Sequence, residues 1–373
     1  MNEYNLLNII ALVAIFVSIL LIFFLLTVKT KNRLANIMLA GFIMFSTVDI
    51  SGIFIGQTLK DQPVIYGFIK SFIFLIFPLF YYYVLAICYN NFKLKYKYLF
   101  HSLPFVFYNL LLLATLIFAK HESLLFYLFK TAPYLIKTQG FLYLIAIIYV
   151  LRKYKTAYLE NYATGNIEIY KWLSRIVLLF LITLPITIIK DFSHFYNHRE
   201  IYIWTITALT GSALILFSWF ILKALYTPEI FRGIDPEIKP VKALTNSKVE
   251  PKSIETHLDT KTVAIIEQLK KHMIEQEPFL EPTLTLQDLA LQMNIHAREL
   301  SILINQHIGQ HFFDFINKYR IEKAIEIIEK SSIKEFTNQQ ILFDVGFNSK
   351  SSFNTAFKKH TGLTPTQFRN KRT

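Results

Sequence analysis

Residues Thr337 to His360 carry the spacing of a helix-turn-helix unit. Thr337 and Gln340 stand at the interval of a capping box, which starts a helix. Ile341 and Val345 stripe one face of that helix, and Gly346 supplies the left-handed residue that ends it. Ser349 caps the next helix, whose core face carries Phe353 and Phe357. The chemistry open to such a unit is recognition: a helix set in the major groove reads base edges by hydrogen bonds, and basic side chains grip phosphate. Bond-making chemistry has no comparable signature. There is no phosphate-binding glycine loop, no nucleophile elbow and no His-Glu-x-x-His zinc motif. His257, His272, His296, His307, His311 and His360 lack ligand spacing, since Gly309 interrupts His307 and His311. The single cysteine, Cys88, lies in an apolar run and permits no intrachain disulfide. No enzyme activity, metal or cofactor is expected.

The rest of the tail supplies the elements that hold this unit. Val263, Ile266, Leu269 and Met273 fall on one face of a first helix. Thr285 with Asp288 predicts a second helix start, and Leu286, Leu289, Ala290 and Met293 form its buried stripe. Asn294 suits a left-handed turn. A helix from Ala297 to about Gln306 follows, anchored by Leu300, Leu303 and Ile304, and Gly309 ends the unit. A long helix from Phe312 to about Glu329 turns Phe315, Ile316, Tyr319, Ala324 and Ile328 inward. The pattern then repeats 52 residues later, with Ile341, Val345 and Gly346 in the places of Leu289, Met293 and Asn294. Leu363 to Arg369 starts a short last helix.

On these residues the tail resembles the DNA-binding domain of AraC/XylS-type transcription regulators. The resemblance runs from about Thr262 to Arg372. It is densest at Gly346, Phe347, Asn348 and Ser349, then Ser352, Phe353, Phe357, Gly362, Thr364, Pro365, Phe368 and Arg369. Leu289, Ala290, Leu300, Tyr319, Arg320 and Ala324 support it. It implies two helix-turn-helix subdomains joined by the long helix, each offering a recognition helix to successive major grooves of double-stranded DNA. Carried over by position, the DNA-facing residues are Arg298, Ser301 and Ile302 in the first recognition helix. In the second they are Lys350, Ser351, Asn354 and Thr355, with Lys358 and Lys359 further along. Arg298 and Lys350 suit guanine and Asn354 suits adenine, or these side chains meet only phosphate or solvent. Two residues depart from the family pattern: Ile302 replaces a polar or basic residue, and Leu342 replaces the small residue expected where helices cross closely.

Ahead of the tail the composition changes. The chain is 53% hydrophobic and carries a net charge of +13, with a mean hydropathy of +0.38. Residues 1–226 hold 19 Lys/Arg against 8 Asp/Glu, so most of the excess charge lies in the apolar part. Seven stretches there are long enough to span a bilayer, roughly Leu6–Val28, Leu34–Gly56, Val64–Cys88, Leu99–Ala119, Pro133–Leu151, Ile176–Ile189 and Ile201–Leu225. Basic residues in their connections alternate, 11 on one side against 5 on the other. By the positive-inside rule the N-terminus lies outside and the tail in the cytoplasm. Pro78, Pro104 and Pro185 predict kinks. Asp49, Lys70, Lys137 and Lys190 fall within or near the outer halves of the spans. They either pair and snorkel as structural charges or line an outward-facing pocket for a signal. Pro228, Pro236, Pro240 and Pro251 interrupt any helix over a linker.

The expected architecture is all-α: a seven-helix transmembrane bundle (1–226), a linker (227–260) and a cytoplasmic domain (261–373) of two helix-turn-helix subdomains joined by a long helix. The combination looks like the integral-membrane subgroup of AraC-type regulators, which places it in a bacterial cytoplasmic membrane. Its expected partners are membrane lipid, the DNA major groove, an unknown ligand or partner protein, and a second copy of the chain. Two other readings stand beside this regulator: a transporter or scaffold whose tail binds protein, and a membrane enzyme of unfamiliar chemistry.

Overall fold

The computed structural model describes residues 3–30, 32–89, 92–117, 122–163, 168–226, 260–330 and 336–371. The linker expected over 227–260 lies, but for Thr260, outside the described residues. The chain divides into two compact units, one of residues 1–152 with 169–240 and one of 153–168 with 241–373. The named elements among the described residues are all helical.

Ahead of residue 227, α1 (Glu3–Thr27), α2 (Arg33–Thr58), α3 (Pro63–Ser71), α4 (Ile73–Cys88), α5 (Leu103–Ile117), α6 (Glu122–Asn161), α7 (Glu168–Phe195) and α8 (Arg199–Tyr226) follow one another, all in the first unit but for residues 153–161 of α6 and Glu168. A 3₁₀ turn, Tyr96–Ser102, leads into α5. Counting α3 with α4 as one segment, seven helical segments among the described residues are long and apolar enough to cross a membrane. Helix α1 packs on α2 and α8, and α2 packs on α4. Phe180 of α7 ties several together, with its ring centroid 5.2 Å from Phe80, 5.7 Å from Phe77 and 6.1 Å from Phe42.

Three details differ from the sequence expectation. The third span breaks at Phe72, where Leu75 N–H donates to the Phe72 carbonyl at 3.0 Å, a tighter turn than an α-helix makes. Pro104 is the second residue of α5, where a helix needs no N–H, so it starts the helix rather than bending it. Helix α6 is much longer than Pro133–Leu151 and carries Pro133 in its interior. Pro78 does lie inside α4. It withholds the N–H that would reach the Phe74 carbonyl, and Gln139 Nε2 donates to that carbonyl instead, at 3.1 Å.

In the second unit the tail's helices follow the residue pattern, except that the first recognition helix ends early and that residues 153–168, expected with the spanning bundle, belong to this unit. Its helices are α9 (Thr260–Glu275), α10 (Leu286–Gln292), α11 (Ala297–Ile302), α12 (Phe312–Lys330), α13 (Asn338–Asp344), α14 (Lys350–Thr361) and α15 (Pro365–Asn370). Capping boxes open α10 (Thr285, Asp288), α13 (Thr337, Gln340) and α15 (Thr364, Gln367). The two turns close alike. Asn294 has φ 54° and Gly346 φ 85°. Ile295 N–H donates to the Ala290 carbonyl at 3.0 Å, and Phe347 N–H to the Leu342 carbonyl at 2.8 Å. Leu342 is buried without disturbing that closure.

Helix α12 serves two cores. Phe312, Phe315 and Ile316 pack with Leu269, Leu289 and Leu300, while Ile321, Ala324 and Ile328 pack with Ile341, Phe353 and Phe357. Between them sits Arg320, 1% exposed. Its guanidinium donates to three carbonyls: Nε to Phe279 at 2.6 Å, Nη1 to Ala163 at 3.1 Å and Nη2 to Glu281 at 2.8 Å. The Phe347 ring centroid lies 5.5 Å from Cζ. Burial pushes this guanidinium down to about 10, opposed by Glu281, so it remains protonated at neutral pH. Gly346 seals the same seam, because a Cβ there would meet the Leu280 carbonyl oxygen at 2.6 Å and that of Phe279 at 2.8 Å.

Gly346→Ala combines a left-handed backbone with that collision and should cost about 3 kcal/mol of stability. Gly362→Ala, at φ 77° with nothing within 4 Å, should cost only about 1 kcal/mol. Equal losses in thermal unfolding of the full chain would show that the carbonyl seam is not tight. Arg320→Lys keeps the charge but loses the planar fork, and a loss of about 3 kcal/mol is expected in the same measurement.

Candidate nucleic-acid interface

The second recognition helix is α14. Lys350, Asn354 and Lys358 recur every fourth residue and share one face, flanked by Ser351 and Thr355. Phe353 and Phe357 occupy the opposite, buried face and fix the rotation of the helix. Lys350, Ser351, Thr355 and Lys358 are exposed and Asn354 is half-buried. The Thr355 hydroxyl donates to the Ser351 carbonyl at 2.8 Å, which leaves its oxygen as an acceptor toward a ligand. Lys359 is differently placed: its Nζ lies 2.7 Å from Asp314 Oδ1 in the first turn of α12.

The first recognition helix, α11, is shorter than the sequence suggests. It gives way at Leu303 to a π-turn, Leu303–His307, closed by Ile308 N–H donating to the Leu303 carbonyl at 3.0 Å. Arg298 is exposed, Ser301 half-buried and Ile302 36% exposed, so all three reach the surface. Asn305 joins them, its Nδ2 donating to Ser301 Oγ at 3.1 Å. Asn305 Oδ1 is buried, so this amide serves to hold Ser301 in place. Arg298, Lys350 and Lys358 make no ion pair among the described residues, so their charge is available to an anionic partner.

The charges of the first unit are gathered rather than dispersed. Lys70 Nζ lies 2.7 Å from Asp49 Oδ1 and also donates to the Asp49 carbonyl at 2.9 Å. It crosses the face of Gly52, where a Cβ would collide with Nζ. Lys137 pairs with Asp191, and Lys190 Nζ lies 3.1 Å from the other oxygen of that carboxylate. Asp191 therefore holds two lysines that were expected to snorkel outward. Lys190 also acts through space on Asp49. Among the described residues no three His, Cys, Asp or Glu side chains converge as a metal site.

Residues 289–371 match the family model of a helix-turn-helix domain, the AraC-type one. Among solved structures, the C-terminal domain of AraT, a response regulator from Geobacillus stearothermophilus, is 31% identical. The match covers 31% of this chain and 89% of that one, with a TM-score of 0.25. No curated protein matches the chain. The matched segment contains both turns, the long helix between them and every position that the sequence resemblance expects to face DNA. The C-terminal segment 289–371 is thus an AraC-type helix-turn-helix domain, of a DNA-binding class.

Proposed function

We propose that this chain is a membrane-embedded transcription regulator in which seven spanning helices receive a signal and the AraC-type tail converts it into sequence-specific DNA binding. One observation carries the reading: a single polypeptide holds seven helical segments of spanning length and a DNA-binding helix-turn-helix pair. The basic bias of alternate connections supports a cytoplasmic tail and an outside N-terminus, in a bacterial cytoplasmic membrane. We assign 1–226 to the sensor, 227–260 to the linker and 261–373 to DNA binding. Arg298, Ser301, Ile302, Lys350, Ser351, Asn354 and Thr355 face the bases, and Lys358 lies along the phosphates. Lys359 is committed to Asp314 and reaches phosphate only by leaving it. Asp49, Lys70, Lys137 and Lys190 form the receiving end, where a ligand or partner protein competes for the existing ion pairs. A second copy of the chain would bring two tails to adjacent sites.

The full chain in lipid nanodiscs, offered a random duplex pool at low salt, should enrich a sequence and lose affinity steeply as salt rises. No enrichment would end this reading. Lys350→Ala should cost about 1–3 kcal/mol at one base position and relax preference there. Lys358→Ala should weaken all sequences alike and flatten the salt slope by about one. If the two variants behave identically, the assignment of α14's face to bases is wrong. Asp49→Asn should abolish the transcriptional response in cells while protein level and DNA binding persist; an intact response would make the charged cluster purely structural.

A further inference from the structure

The residues just after the membrane-spanning part of α6 belong to the core of the first helix-turn-helix subdomain. The Ala163 methyl is 0% exposed and lies in one cluster with Leu269, Met273, Phe279 and Leu289. Both backbone groups of Ala163 are used: its N–H donates to the Leu284 carbonyl at 3.2 Å, and its carbonyl accepts from Arg320 Nη1 at 3.1 Å. Tyr162 pairs antiparallel with Thr285, the residue that caps α10. The Tyr158 ring stacks on Tyr162 at 4.8 Å, and the Glu160 carboxylate feels the imidazole of His311. None of these α6-side residues falls in the segment matched by the helix-turn-helix family, 289–371. The contact is therefore an addition by this chain to that domain. Without it, one N–H of a buried guanidinium and a methyl-sized space in the core would lose their partner.

We propose that Tyr158–Ala163 is a clasp on the first helix-turn-helix subdomain, and that this clasp carries the state of α6 to the DNA-binding residues. Helix α6 runs unbroken from Glu122 to Asn161, and the residue that follows it is already paired with the cap of α10. A rotation or shift of that helix therefore arrives at the helix-turn-helix without an intervening slack segment. The chain connection through 227–259 is a second covalent route. Its regulatory half rests on the regulator reading above; its structural half does not.

The test uses the full chain in nanodiscs with Cys88→Ser, which removes the only native thiol. Tyr162→Cys with Thr285→Cys places two thiols on a bridged antiparallel pair, with Cα atoms about 4.5–5.5 Å apart, inside disulfide reach. A protease site inserted near residue 245 lets the product be read on a gel. The crosslinked chain keeps its full mass after cleavage until reductant is added. Mild oxidation should crosslink most of the protein, and a control pair, Tyr162→Cys with Ser351→Cys in the other subdomain, should not crosslink. Absence of the crosslink overturns the clasp. Adding Ala163→Glu, which forces a carboxylate into the core, should slow crosslinking at least tenfold, whereas Ala163→Gly should leave it within about twofold. An unchanged rate with Glu overturns the burial of residue 163. DNA affinity should differ at least tenfold between the oxidised and reduced states. Equal affinities overturn the transmission role. Loss of DNA binding in both states counts against the regulator reading and its transmission half, while the crosslink alone still decides the clasp.

Discussion

A single buried guanidinium organises the DNA-binding unit. Arg320 makes no ion pair among the described residues; three backbone carbonyls and the face of Phe347 meet it, with Glu281 acting through space. Such an arrangement needs a planar fork whose donors diverge in fixed directions, which lysine lacks. The carbonyls come from the 3₁₀ turn Pro278–Leu280, from Glu281 and from Ala163, while the ring comes from the second turn. One side chain thus fixes the approach to the first subdomain, the turn of the second and the segment after α6. The approach itself is held from its far end, where Glu277, with a left-handed φ of 45°, is paired to Lys323 at 2.7 Å.

The first unit solves a related difficulty with other means. Charges within apolar helices are stable only when each meets an opposite charge or a polar group. Lys70 has Asp49, and Asp191 holds both Lys137 and Lys190, so three lysines share two carboxylates. Gly52 makes room for the lysine stem on which the first of these pairs depends. The same economy appears at Pro78, where the carbonyl freed by the missing N–H is taken up by Gln139 from another helix.

Local signals were legible in the sequence, and contacts between distant residues were not. Thr285 with Asp288, Thr337 with Gln340, and the left-handed residues Asn294 and Gly346 each announce themselves within a few positions, and all adopt the geometry they imply. The alternation of apolar runs likewise gave the seven long helices. The break at Phe72 and the π-turn at Leu303–His307 carry no residue signature, because neither depends on glycine or proline. Arg320 was visible only as part of a family match; its burial follows from three carbonyls scattered across the chain. Ala163 is the extreme case, an alanine at the end of a long helix whose partner lies 157 residues away.

The seam of Gly346 and Phe347 against the Phe279 and Leu280 backbone also has a mechanical meaning. Two reading heads welded across such a joint have little freedom to adjust their separation to an imperfect operator. In the proposed DNA complex the compliance would then come from the nucleic acid, twisting or bending until its grooves meet the heads. Base steps that are never touched, but that yield easily, become part of what is selected.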